Sequence, residues 1–446
     1  LNTDKNTSPI ALNLFHARSL TPGTFMKFNQ LSIGSIVFSM TALVSLNASA
    51  AGLWLYETGT PEMGTASAGR DAIANSASTA MYNPAGMTRL DRDELMVGIQ
   101  AMYVKARFDI DEGSGAGGGD GGNAGGWVPM GSLNYVHELL PELKFGITSG
   151  SYLGLGLDFN SDWGGRYFAT EVEFLTMMTA FNLGYKVNDN LSIGGGANIL
   201  YGSLTQKMDW NNNPLGIGTA PDGQLKVKDS DIGYGFNLGL LYEFSSSTRI
   251  GITYISAVDL EFEDAVDTSR LNGLPGQILN DAEIDLDMTI PQAVSLSLFH
   301  QIDEQWALLG SVGWQDWSEF GKTDIKTAQN GGGTADRNFD DTWSAGVGFH
   351  YQWSDPWKLM AGIHYDSSPV SKSDRTLDQP LDRQIRYGFG AQYEYSSDLT
   401  LSAAYEFWDA GTAKIDQSGS PGQGTLKGEF ESYYVQFFNL NVSWKF

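Results

Sequence analysis

Hydrolytic or metal chemistry in this chain would have to be built from five histidines, at positions 16, 137, 300, 350 and 364, because cysteine is absent. Their spacing matches no metal-ligand pattern. No serine nucleophile motif accompanies His300, His350 or His364, so a Ser/His hydrolase lacks its attacking group. The run GSGAGGGDGGNAGG, inside Asp109–Gly126, is a single copy, whereas calcium-binding glycine repeats come in arrays. It reads as a flexible surface loop. The expectation is therefore no metal, no cofactor and no catalysis. Without cysteine there are no disulfides either, and rigidity must come from backbone pairing.

The remaining distinctive residues do conformational work. Ala51–Leu90 reads AGLWLYETGTPEMGTASAGRDAIANSASTAMYNPAGMTRL and is rich in Gly, Ala and Ser. A flexible leader has that composition too. Yet Leu53, Trp54, Leu55, Tyr56, Met63, Ile73, Met81, Tyr82 and Met87 are too apolar for a disordered tail. Pro84 fixes its own φ and disfavours helix at Asn83, whose side chain turns the chain locally. Asn83-Pro84-Ala85 is thus a rigid elbow, suited to act as a stop or latch in a folded plug spanning 51–93.

A plug needs a container, and the rest of the chain is patterned as one. Counting back from Phe446, Trp444, Val442, Leu440 and Phe438 share one face, while Lys445, Ser443, Asn441 and Asn439 share the other. An apolar outside and a polar inside are what a barrel wall in lipid requires. The same period of two predicts strands at 94–108, 128–137, 142–153, 172–187, 190–206, 231–245, 248–260, 287–301, 305–317, 341–353, 357–366, 384–395, 398–408 and 430–446. That makes fourteen, an even number, as single-chain bacterial barrels have. Short and long connections alternate, as periplasmic turns and extracellular loops do. The predicted fold is all-β: a 14-stranded antiparallel transmembrane barrel over 94–446 with an N-terminal hatch in its lumen.

The front end reads as an export signal. Met26-Lys27, an apolar run from Leu31 to Leu46 and Ala48-Ser49-Ala50 have the layout of a signal peptide over 26–50. Residues 1–25 read as an upstream extension. The formal charge is −25, and about −27 once residues 1–50 are removed, which repels a nucleic-acid backbone.

GLW…E.G…G.A.AG.…A..AST..YNPAGM resembles the mature N-terminus of the FadL-type outer-membrane transporters of long-chain fatty acids and aromatic hydrocarbons. Ile290-Pro291-Gln292-Ala293-Val294-Ser295-Leu296, Trp314-Gln315-Asp316-Trp317 and Gly362-Ile363-His364-Tyr365-Asp366 extend the likeness across the mature chain. The resemblance implies a hatch carrying Asn83, Pro84 and Ala85, with Ala51, Gly52 and Leu53 at the gating N-terminus. It further implies capture of a hydrophobic ligand by outer loops and sideways release beside a kinked third strand. Gly146, Gly150 and Gly154 permit such a kink, although glycines there would equally serve close packing against the plug.

A carboxylate cargo needs a cation. Arg166, beside Trp163, and Arg386, which parity points into the lumen, are candidates for it, or else inward charges paired with lumenal acids. An aromatic cargo needs none. Trp210, Leu271 and Leu274 lie in long loops and would form a capture surface, or pack on one another. Expected partners are the ligand, outer-membrane lipids and lipopolysaccharide, and the outer-membrane assembly machinery through Phe446, for a monomer in the outer membrane. A general porin and an adhesin or phage-receptor barrel are the other readings.

Overall fold

A computed structural model describes residues 54–446 apart from 57, 214–219, 272–282, 328–330 and 420–422; for 264, 265, 283, 284, 325–327 and 331–333 it describes the backbone alone. The upstream extension, the signal peptide, Ala51, Gly52, Leu53 and Leu274 all lie outside the described residues.

The strands in chain order are β1 (Glu94–Ile110), β2 (Trp127–Leu140), β3 (Leu143–Asp158), β4 (Glu171–Lys186), β5 (Leu191–Trp210), β6 (Gly223–Glu243), β7 (Thr248–Ile255), β8 (Val258–Ala265), β9 (Asp267–Ser269) and β10 (Glu283–Ile290). They continue as β11 (Ala293–Gln301), β12 (Trp306–Gln315), β13 (Lys322–Thr327), β14 (Gly331–Asp336), β15 (Thr342–Ser354), β16 (Trp357–Asp366), β17 (Gln384–Glu394), β18 (Leu399–Asp409), β19 (Ile415–Ser418) and β20 (Thr425–Lys445). Fourteen of them, β1–β7, β11, β12, β15–β18 and β20, pair antiparallel in sequence, and β1 closes on β20. No edge is left at the seam, which lipid would not tolerate. The burial pattern is inverted relative to a soluble sheet: Leu440 and Trp444 are 57% and 52% exposed, whereas Asn439 and Asn441 are 2% and 3%.

Two predicted strands prove to be broken. The run 248–260 ends its wall pairing at Ile255, and β8 begins off the wall at Val258. The run 287–301 is interrupted at Pro291-Gln292, between β10 and β11. Proline has no N–H to give a ladder, so the strand breaks there. The segments beyond both breaks join β13 and β14 in a separate four-stranded sheet, order β14-β13-β10-β8. Its Val258, Leu260, Phe262, Met288 and Ile290 are buried, while Asp259, Glu261 and Glu263 are exposed. What reads in the sequence as loops at 261–286 and 318–340 thus holds strand at 261–265, 267–269, 283–286, 322–327 and 331–336 among the described residues. β5 and β6 also run further than predicted, pairing as far as Trp210 and Gly223.

Residues 58–90 are short helical turns, at Pro61–Thr65, Arg70–Ile73, Thr79–Tyr82 and Pro84–Arg89, and nearly all are buried. They pack on inward-facing glycines. A Cβ on Gly184, Gly194 or Gly239 would strike Pro84, Asn83 or Ala85, and one on Gly251 would strike Asp71 and Asn83. Gly184, Gly194 and Gly239 lie in one cross-strand row, so three neighbouring strands together leave a socket for the elbow. Opposite, Gly362 and Gly388 make room for Thr65 and for Met63 and Ala66.

Gly194→Ala should push backbone against backbone and cost about 1–3 kcal/mol, the usual range for overpacking. Gly310→Ala, whose Cβ would meet only the Gly346 carbonyl at 3.9 Å, should be near neutral. Thermal unfolding of the detergent-solubilised variants checks the contrast.

Candidate functional site

The lumen has two layers. The lower one is polar and grips residues 58–90 from all sides. Asn83 is its central fastener: its Nδ2 donates to Asp71 O at 2.7 Å and to Leu240 O at 3.0 Å, while its Oδ1 accepts from Ala85 N at 3.1 Å. The turn that Pro84 imposes is thereby bonded both to itself and to β6. Asp71 accepts hydroxyls from Ser295, from Ser297 at 2.7 Å and from Thr253 at 3.3 Å. Arg249 Nε and Nη2 donate to Ala72 O and Ile73 O, each at 2.5 Å, and its guanidinium lies over Phe299 at 3.7 Å. Asn182 reaches Ala80 O at 2.7 Å, and Glu94 accepts from Ala77 N at 3.0 Å.

The upper layer is apolar. Leu155, Val172, Phe174, Leu204, Met288 and Phe320 line a cavity of about 90 Å³, whose polar margin includes Gln206, Thr323, Arg337 and Asp378. Burial works against the Asp378 charge, but Arg337, 2.9 Å away, outweighs it and holds the carboxyl below its usual range. A smaller cavity of about 50 Å³ lies beside the polar layer, lined by Tyr56, Arg70, Tyr82, Tyr152, Met178 and Ile255 among others.

The wall itself is interrupted next to that cavity. β2 pairs with β3 only up to Ser132↔Gly150, although β3 continues to Asp158 along β4. At the same level β3 carries a bulge, its register against β4 shifting between Ser151 and Gly154. Thr176 bridges the bulge: Leu153 N donates to its Oγ1 at 2.7 Å, and the hydroxyl donates to Leu153 O at 3.3 Å. The edge that β2 leaves is met from inside by the first described residues. Leu55 N donates to Tyr152 O at 3.1 Å, and Trp54 forms an antiparallel bridge with Leu153. This strap is held from the far wall by Arg386, whose Nη2 donates to Trp54 O at 3.0 Å, and by Tyr56, whose hydroxyl donates to Asp366 at 2.7 Å. Burial and the Asp366 charge push the Tyr56 phenol far above its ordinary value, so it stays a neutral donor.

The glycines of the third strand divide between both roles weighed from the sequence. Gly146 and Gly150 sit in regular ladder, where a Cβ would strike Met87 or Met81, and Gly154 sits at the bulge. Trp163 is fully buried, stacked on Phe159 at 3.9 Å with its Nε1 donating to Ala169 O at 2.9 Å. Arg166 pairs with Asp222 at 3.0 Å and donates to Gly117 O at 2.8 Å, fastening three outer loops together. Neither lines the two cavities. Trp210 ends β5 half-buried, and Leu271 is half-buried beside Gly223. Arg386 is in the lumen, as parity predicts, paired with Asp366 and lying 4.4 Å over Trp408. Sequence reasoning missed Arg70, Asp71, Tyr152 and Arg249. The inward parity of Gly184, Gly194 and Gly239 was the legible signal for where residues 58–90 dock.

Glu62 is buried among residues 58–90 and accepts from Ser78 at 2.8 Å. Burial raises its pKa above the ordinary carboxyl value of 4.5. The folded state therefore binds the proton more tightly than the unfolded one, whose Glu titrates near about 4.3. The resulting stability is complete below that value and is lost as pH rises through the folded pKa. Amides of 62–82 should be better protected from hydrogen exchange at pH 5 than at pH 8, after correction for intrinsic rates. Glu62→Gln should flatten that dependence.

Comparison with known proteins gives the geometry a family. The description "outer membrane protein transport protein (OMPP1/FadL/TodX)" matches residues 41–446. A long-chain fatty acid transport protein of Escherichia coli O6:H1 is 27% identical over 442 residues, covering 91% of this chain and 96% of its own. Outer membrane protein P1 of Haemophilus influenzae is 26% identical over 425 residues, covering 85% and 90%. Among solved structures, a Pseudomonas aeruginosa FadL homologue superposes with a TM-score of 0.81 at 23% identity, over 89% of this chain and 100% of that one. The Pseudomonas putida toluene transporter TodX superposes with a TM-score of 0.67 at 16% identity, over 89% and 100%. At those identities the two structures speak for the fold alone. The match spans residues 58–90 and the whole barrel, and this chain belongs to the OMPP1/FadL/TodX family of outer-membrane transport proteins.

Proposed function

We propose that this protein is an uptake channel for hydrophobic molecules, long-chain fatty acids first among them, with residues 51–93 acting as its hatch. The observation that carries the reading is the interrupted ladder: the wall between β2 and β3 stops at Ser132↔Gly150, and the cavity lined by Trp54, Leu55, Met178 and Ile255 among others borders it. A polar-solute porin needs a wet lumen through its whole length, and here residues 58–90 are packed into the lower half. Uncharged aromatic hydrocarbons are the alternative cargo. Fatty acids are preferred because the relatives aligned over nine-tenths of their length include long-chain fatty acid transport proteins at 26–27% identity, whereas the toluene transporter TodX is 16% identical.

In this reading the outer loops capture ligand, the cavity receives it, and it leaves sideways through the interruption into the bilayer. Sideways release suits the physics. Each CH₂ gains about 0.8 kcal/mol on leaving water, so a wet exit would forfeit that gain over the whole tail. An apolar chamber that opens onto hydrocarbon never re-exposes it. The exposed Phe446 after the closing strand serves assembly rather than transport.

The chain has no cysteine, so a reversible lock is clean. Gly131 and Ser151 would be the next partners if the β2–β3 ladder continued. With both replaced by Cys, oxidation should abolish oleate uptake and reduction should restore it. Uptake indifferent to oxidation, in protein shown to be cross-linked, would rule out exit at this place.

A further inference from the structure

The cations that reach the lumen and its margins are mostly committed. Arg166 has Asp222 at 3.0 Å, Arg337 has Asp378 at 2.9 Å, and Arg386 has Asp366. Arg70 differs. Its one ion-pair contact is loose, 3.7 Å from Nε to Asp71 Oδ1. That carboxylate already accepts from Ser295, Ser297 and Thr253. Among the described residues nothing hydrogen-bonds to the Arg70 guanidinium. It lies instead over two rings, 4.2 Å from the Tyr56 centroid and 5.9 Å from that of Tyr82. Its side chain is 15% exposed, and it lines the smaller cavity.

A second, independent feature faces the same space. Tyr152 lines that cavity, is 7% exposed, and its buried hydroxyl has no hydrogen-bond partner. A buried phenol without a partner is costly unless something is meant to meet it. An arginine with unspent donors and an unpartnered hydroxyl converge on a cavity whose lining also joins Trp54, Met178 and Ile255 to Thr58, Asp71, Thr253 and Ser295, and they suit an anion on an apolar body. A space of about 50 Å³ exceeds the roughly 10–15 Å³ that a single water needs by this measure, and so is on the scale of a head group. The cavity borders β3 at Gly150–Tyr152, the level at which β2 parts from it.

We propose that Arg70, with the Tyr152 hydroxyl, is the head-group site for an anionic amphiphile of the fatty carboxylate class, poised at the inner side of the wall interruption. The proposal rests on the uptake reading and sharpens it: the protein prefers a carboxylate-headed chain over a neutral one of the same length. Guanidinium and phenol both donate to the carboxylate, while the rings of Tyr56 and Tyr82 hold the arginine in place. Asp71 lies close by, and its three hydroxyl donors offset the repulsion it would otherwise exert.

The test compares oleate with oleyl alcohol, which has the same tail without the charge, binding to the full-length protein purified in detergent. R70Q should lower oleate affinity at least tenfold and leave oleyl alcohol within twofold of wild type, and R70K should keep oleate within about threefold. Folding of each variant is read from its heat-modifiable migration. A measurement on wild type alone guards against a variant that fails to fold: its preference for oleate over the alcohol should vanish as pH falls through the ligand's own carboxyl pKa. Unchanged oleate affinity in folded R70Q, an equal loss of both ligands, or a wild-type preference that survives ligand protonation each overturns the site while leaving uptake standing. Wild type that binds neither ligand removes the uptake reading, and this site with it.

Discussion

A strand that parts from its neighbour inside a bilayer has to find other partners for its amides, because hydrocarbon offers none. That constraint governs β3 above Gly150, and the rest of the structure is arranged around meeting it. The strand bulges, Thr176 takes the bulged amide, and Trp54 and Leu55 approach from inside to pair with Leu153 and Tyr152. Higher up, Asp158 N donates to Ala124 O at 2.9 Å, so the glycine-rich outer loop closes over the far end. The wall is therefore interrupted without being unsatisfied. Its missing partner has been supplied by the chain's own leading segment, which ties the state of the interruption to the position of that segment.

The division of the lumen follows from a second constraint, that buried polar groups need partners while buried apolar ones need only neighbours. Short helical turns leave many peptide groups unpaired. The wall around them supplies Asn, Ser, Thr and Arg side chains where it faces them, as at Asn182, Ser297 and Arg249. Above them nothing demands hydrogen bonds, and the inward positions turn to Leu, Phe and Met. Glycine mediates between the two: where backbone approaches wall, at Gly194 or Gly362, a Cβ would occupy the same space as the turn.

Much of this was legible in the sequence, for physical reasons. Period-two alternation is forced by lipid on one side, so the fourteen wall strands could be read from outward residues such as Leu440 and Trp444. The elbow at Asn83-Pro84-Ala85 was legible because proline restricts two residues at once. What alternation does not convey is where a strand leaves the wall. Residues 248–260 and 287–301 keep their period through the break, since β8 and β10 also bury one face, and only Pro291 marked it. The cations were the least legible. Arg166 and Arg386 stand out in the sequence, but their carboxylate partners are 56 and 20 residues away and cannot be paired by eye. Arg70 lies next to Asp71 and looks neutralised, until Ser295, Ser297 and Thr253, far along the chain, take up that carboxylate.

Uptake through such a barrel requires part of the leading segment to yield, and the contacts distinguish which part. The elbow is seated backbone-to-wall in a row of glycines and bonded through Asn83 to β6. Withdrawing it would open a void and orphan several buried groups, each costing about 1–3 kcal/mol. The strap at Trp54–Tyr56 is bound differently. Trp54 and Leu55 bury their side chains in the apolar chamber, and an aliphatic chain placed there would bury comparable surface in their stead. The hydrogen bonds that hold the strap against that exchange join Leu55 N to Tyr152 O, Arg386 to Trp54 O, and Tyr56 to Asp366, Gln315, Ser67 and Tyr82. On the uptake reading proposed above, the strap rather than the elbow is the element whose apolar contacts a ligand replaces. The elbow then acts as the fixed floor against which that exchange takes place.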